Sequence, residues 1–235
     1  MAKILNIESS GDVCSVGLSI DGKVSVLKER TERNIHSKLL TVFIEELFQE
    51  SSLTIEEIDA VAVSKGPGSY TGLRIGVSAA KGIAYGRDIP LISVSTLKSM
   101  AWGMQQQLKS EGTTEENLLL CPMIDARRME VYSAFYDLDF IKHKDISADI
   151  IDENSYADFL EKKTLIFFGD GAGKCREVLT HQKARFRNDV LPSATYMAQF
   201  AEDKFNAGDF EDTAYFEPFY LKDFVAKVST KNIYG

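Results

Sequence analysis

The sequence predicts an α/β fold made of two similar units with mixed sheets, and three observations point there. Residues 4–27 carry three short apolar runs separated by polar turns, the signature of consecutive paired strands. From residue 34 onward, segments with helical period alternate with short apolar runs, so the first unit reads βββαβαβα, a mixed sheet with helices packed on it. A strand, glycine-rich turn and helix at 58–86 is then echoed at 164–181, the sign of a duplicated unit.

The first three strands are 4–7, 14–20 and 23–27, and Asp21-Gly22 between the last two is a strong hairpin signal. The turn Glu8-Ser9-Ser10-Gly11-Asp12 reads as a solvated turn, with a phosphate or metal contact as the alternative. Residues 34–50 have helical period and two apolar stripes. Leu40, Phe43, Ile44 and Leu47 make the core face, whereas Ile35, Leu39 and Val42 cluster elsewhere on the wheel. That second stripe is covered by a neighbouring helix or left for another chain.

The centre of the chain is Lys65-Gly66-Pro67-Gly68-Ser69-Tyr70-Thr71-Gly72-Leu73-Arg74-Ile75-Gly76, between a strand at 58–63 and a helix to residue 86. Pro67 fixes its own φ, Gly66 and Gly68 permit positive φ or close backbone approach, and Ser69 or Thr71 caps the helix. It is no Walker loop, because Leu73-Arg74 follows Gly72 where Lys and Ser or Thr would stand, and Thr71 breaks the dinucleotide fingerprint. Ser10, Gly66, Gly68 and Ser69 are the candidates for an anion contact, with a purely structural corner as the default. In the helix, Gly72, Gly76, Ala79 and Ile83 share one face, while Arg74, Ser78 and Lys81 lie on another. Glycines in a helix cost about 0.5–1 kcal/mol each relative to Ala, so something approaches that stripe closely. Packing on the chain's own sheet and contact with a partner helix both remain open.

A strand at 90–94 and a helix at 95–108, capped by Ser95 or Thr96, complete the first unit; 109–117 is a polar linker. The domains are therefore expected at 1–108 and 109–235, with the C-terminal segment packing back on the first. In the second, strands are expected at 118–125, 129–136 and 164–168, a loose helix at 150–160, and a helix from the Gly169-Asp170-Gly171-Ala172-Gly173-Lys174 turn to about His181.

Composition narrows the function. A net charge of -8 and a pI near 5.0 have the wrong sign for gripping nucleic-acid phosphates unaided. Cys14, Cys121 and Cys175 are too few and scattered for a disulfide framework, and the residues 1–8 enter a strand without the apolar region of a signal peptide, so a cytoplasmic protein is expected. No apolar run reaches the ~20 residues of a membrane span. His36, His143 and His181 lack ligand spacing, and no serine or cysteine has the setting of a nucleophile. Asp125, at a strand end, is a turn residue before it is an acid or a ligand.

Ile7-Glu8-Ser9-Ser10, Ile35-His36-Ser37, the 65–76 run, Asp125-Ala126-Arg127-Arg128-Met129-Glu130-Val131-Tyr132 and Glu217-Pro218-Phe219-Tyr220-Leu221 together resemble the TsaB family of bacterial tRNA threonylcarbamoyladenosine biosynthesis proteins, over nearly the full chain. The resemblance implies the duplicated actin, sugar-kinase and Hsp70-like (ribonuclease H-like) fold. It implies a non-catalytic relative of TsaD, the subunit that moves a threonylcarbamoyl group from its adenylate to adenosine 37 of tRNA. Pairing with TsaD, recruitment of the small ATPase TsaE, a homodimer when alone, and tRNA contact only through the complex follow from it, with no cofactor and no metal. The catalytic relative carries a His-x-x-x-His metal pair on the first helix; here His36 is followed by Leu40, and Glu8 stands where kinases of the superfamily have Asp. The isolated chain is accordingly expected neither to hydrolyse ATP appreciably nor to hold a stoichiometric metal. Ile35, Leu39, Val42, Gly72, Leu73, Gly76 and Ala79 are the expected partner face, with Leu39 and Leu73 as anchors. The competing reading is a small-molecule kinase or ATPase of the same fold.

Overall fold

The computed structural model describes residues 1–113, 115 and 117–222. The first sheet holds β1 (Lys3–Glu8), β2 (Val13–Ile20), β3 (Lys23–Thr31), β4 (Ala60–Gly66) and β5 (Leu91–Ser95), in the order β3-β2-β1-β4-β5. β1 pairs antiparallel with β2 and parallel with β4, so Leu5 faces Leu18 on one side and Val61 on the other. The second sheet holds β6 (Leu118–Asp125), β7 (Glu130–Tyr136), β8 (Lys142–Ile150), β9 (Thr164–Phe168) and β10 (Ala184–Phe186), in the order β10-β9-β6-β7-β8. Read from the other edge it is the first sheet again: an antiparallel meander of three strands, then two parallel ones. This is the duplicated mixed-sheet α/β fold that the sequence predicts.

Helices cover both faces of the first sheet. α1 (His36–Ser51) and α2 (Tyr70–Arg87) bury Leu40, Ile44, Leu47, Val77, Ala80 and Ala84 against Leu5, Ile7, Val16, Val61 and Val63. The opposite face, with Ile4, Ala60, Ala62, Ile92 and Val94, meets Met197 and Ala201 at α5 (Ala198–Ala207). α3 (Thr96–Ser110), although it follows the last strand of the first sheet, buries Leu97, Met100, Met104 and Leu108 against Leu118, Leu120 and Ile166 of the second. Each buried Val, Leu, Ile or Met among these is worth about 1.5–3 kcal/mol, which is why the apolar stripes decide the layering.

Two expected helices differ. Only α4 (Ala157–Leu160), a single turn, forms within 150–160, and after Gly173 only a 3-10 turn, Gly173–Cys175, is present. Ala172, Cys175 and Leu179 still pack on Cys121 and Phe167, so the segment buries its apolar residues without a regular helix. The Glu8–Asp12 turn is not solvated either. Glu8, Ser9, Ser10 and Gly11 are buried and only Asp12 is exposed. Among the described residues no helix is long and apolar enough to cross a membrane.

Candidate functional site

Two turns meet at the ends of β1 and β4. The Ser69 amide donates to the Ser10 carbonyl at 2.6 Å, and a Cβ at Gly68 would stand 2.3 Å from that oxygen. Gly66, with φ +103°, precedes a cis bond to Pro67, and its missing Cβ leaves room for the Phe219 carbonyl. Ser69 caps α2, its Oγ accepting from the Gly72 amide at 3.3 Å. The four anion candidates Ser10, Gly66, Gly68 and Ser69 thus do come together, but backbone packed on backbone fills the corner.

Glu8 lies fully buried beside it. The Ser10 amide donates to its Oε1 at 2.7 Å, while Oε2 and the Ser9 and Ser10 hydroxyls have no hydrogen-bond partner among the described residues. Burial pushes the Glu8 carboxyl up from its ordinary value; the nearby Ser10 and Ser64 hydroxyls temper the shift without closing a bond to Oε2. From the second unit, the Asp125 amide donates to Asp170 at 3.1 Å, and burial pushes the Asp170 carboxyl up to about 6, with Asp125 and Asp12 adding to it. Asp125 itself accepts from the Arg127 amide at 2.9 Å and pairs with Lys174, so it is a turn residue.

The glycine stripe on α2 resolves inward. A Cβ at Gly72 would lie 2.2 Å from the Ser9 carbonyl oxygen, and one at Gly76 would lie 2.1 Å from Ser9 Oγ. What approaches the stripe is the chain's own β1 turn. Leu73 is wholly buried and Ile35 is buried in the first core, so among the expected partner residues Ile35, Gly72, Leu73 and Gly76 all pack within the chain itself. Leu39 is half-buried against the same core, Ala79 is half-buried, and Val42 is exposed.

Beside those residues α1 and α2 enclose an open groove of about 420 Å³. α1 contributes His36, Ser37, Leu40 and Thr41; α2 contributes Arg74, Ile75, Ser78 and Ala79. The His36 ring turns inward, Nε2 lying 3.0 Å from the Val13 carbonyl oxygen, and Leu40 is buried. Ser37, Thr41, Arg74 and Ser78 are exposed. Sequence reasoning missed this rim because exposed polar residues on a helix read as a solvated face. Of the residues expected at a partner face, Ala79 is the one that lines the groove, and Ile35, Leu39 and Val42 of the second α1 stripe are not among its lining. At one end Arg74 sits over the Tyr70 ring, 5.4 Å from its centroid, and Tyr70 packs on Tyr220 with centroids 4.9 Å apart.

Comparison with known proteins places this geometry. The family described as TsaD, tRNA N6-adenosine threonylcarbamoyltransferase, matches residues 26–229. A tRNA threonylcarbamoyladenosine biosynthesis protein TsaB from Escherichia coli is 30% identical over 95% of this chain and 96% of its own, and one from Haemophilus influenzae is 28% identical over 94% and 93%. The structure of YeaZ from Pseudomonas aeruginosa superposes with a TM-score of 0.74 at 23% identity, covering 94% of this chain and all of that one.

Proposed function

Because this chain belongs to the TsaB family, we propose that it acts in tRNA threonylcarbamoyladenosine biosynthesis as a non-catalytic scaffold, pairing through the α1–α2 groove with a TsaD-like catalytic subunit and helping to recruit a TsaE-like ATPase. The observation that carries this reading is the groove itself, an open apolar floor with a polar rim between two helices. The same face serves a homodimer when the catalytic subunit is missing, and one patch cannot serve both at once. The kinase reading is disfavoured by two features. Direct packing of the Ser10 and Gly68 backbones occupies the turn where a phosphate would lie, and the buried Glu8 carboxyl beside it repels an anion whenever it is ionised. His36 is turned to a backbone carbonyl, and Leu40 stands one helical turn on, where the catalytic relative's second metal ligand would be.

Ser78→Trp tests the docking face without touching the core, since Ser78 is exposed on the groove wall. The expected result is at least a tenfold loss of affinity for the catalytic subunit and a parallel loss of self-association, with an unchanged melting temperature. Full-strength association of the folded variant would place the interface elsewhere. A separate expectation follows from the net charge of -8. Fluorescence anisotropy should find weak tRNA binding by the isolated chain and stronger binding by the complex; tight, salt-sensitive binding by the chain alone would overturn the view that tRNA is held through the partner.

A further inference from the structure

We infer that the C-terminal segment selects what the groove accepts: Tyr220 holds Tyr70, and Tyr70 holds the Arg74 guanidinium at the groove's edge, where it takes a carboxylate on a partner of different sequence in preference to a second copy of this chain. The inference rests on the docking face proposed above and adds the determinant of its choice.

The segment from Glu211 to Tyr220 is tied down at every few residues. The Glu211 amide donates to the Leu91 carbonyl at 2.8 Å, and Phe216 packs against the first core. Lys81 Nζ donates to the carbonyls of Ala214 and Phe216, each at 3.0 Å, and the Phe219 amide donates to the Lys65 carbonyl at 2.7 Å. These anchors leave little freedom for Tyr220, whose ring lies tilted by 37° on Tyr70. Arg74 Nη1 in turn donates to the Tyr70 hydroxyl at 3.3 Å, and the guanidinium stacks over the same ring.

Arg74 is the one lining residue of the groove with a fixed charge, and among the described residues no carboxylate lies within ion-pair distance of it. An exposed, oriented and unmatched guanidinium calls for an acid across the contact. A second copy brings the same eight lining residues, with another Arg74 and no Asp or Glu among them. Self-pairing centred on the groove therefore sets like charge near like charge, whereas a different chain can supply the carboxylate. Discrimination of this kind needs both the attractive and the repulsive arm.

The test uses the full chain and the purified threonylcarbamoyltransferase subunit of the same organism, with calorimetry for the mixed complex and sedimentation for self-association. Arg74→Glu should weaken the mixed complex about tenfold or more while leaving self-association unchanged, since it exchanges one like-charge pair for another. Tyr220→Ala should weaken the mixed complex several-fold, Tyr220→Phe should restore it, and Tyr220→Ala should add little on top of Arg74→Ala, because the tyrosine acts through the arginine. If Arg74→Glu leaves the mixed complex intact while Ser78→Trp abolishes it, the charge selection is wrong and the docking face stands. If neither variant affects it, the docking face is wrong as well. Equal loss of both assemblies in Arg74→Glu would also overturn the selection.

Discussion

Gly72→Val is expected to destabilise the protein by about 3 kcal/mol, the upper end of what overpacking usually costs. The atom in the way is backbone. The Ser9 carbonyl oxygen lies 2.2 Å from the position of the added Cβ, and Ser9 follows β1 in the middle of the first sheet, so neither side can swing aside cheaply. Gly76→Trp meets Ser9 Oγ at 2.1 Å and Ile7 behind it, and would disrupt the fold before it disrupted any assembly. Gly82→Ala is the internal control. Gly82 is exposed on the same helix with nothing within 4 Å of its Cβ position, so Ala there should stabilise by about 0.5–1 kcal/mol. Urea unfolding of the three variants decides the matter; a Gly72→Val midpoint equal to that of the parent would show that the β1 turn yields easily.

The same helix shows how far the sequence could be read. That something closely approaches Gly72 and Gly76 was legible, because several glycines in one helical stripe need a reason. That the approaching group is Ser9, sixty-odd residues upstream, is a tertiary fact with no local trace. Local chemistry was more dependable. Asp21 and Gly22 take φ 50° and 71°, as a tight hairpin turn demands, and β9 occupies Thr164–Phe168 as its unbroken apolar run predicts. β8, by contrast, reads Lys142 to Ile150 as a charged, half-exposed edge, and it is a strand because β7 supplies the register rather than because its own residues ask for one. α5 was unassigned for a related reason: its buried residues include Ala198 and Ala201, too small to stand out as a stripe. For the candidate site, Ala79 is the one expected residue that lines the α1–α2 groove, while Gly72 and Gly76 face the β1 turn.

Glu8→Gln is expected to stabilise the protein near pH 8 and to change it by almost nothing near pH 4. Glu8 is fully buried at the end of β1, with one amide donated to Oε1 and no partner for Oε2. A buried charge short of hydrogen bonds costs about 1–3 kcal/mol or more. Burial raises the carboxyl above its ordinary value, so the folded protein binds this proton more tightly than the unfolded chain does. Its favourable contribution is therefore fully present below the unfolded value near 4.5 and is lost as pH rises through the folded one. Gln keeps the Oε1 acceptor for the Ser10 amide and stays neutral throughout, imitating the protonated acid. The comparison is between two variants that share every other titrating group, so the difference isolates Glu8. Plotted against pH, the two stabilities should converge below pH 4.5 and separate above it, with Gln on top. Parallel curves would show that Glu8 is as well solvated in the fold as out of it, and a Gln variant that lost ground above pH 4.5 would show that the ionised form is the one the fold is built to hold.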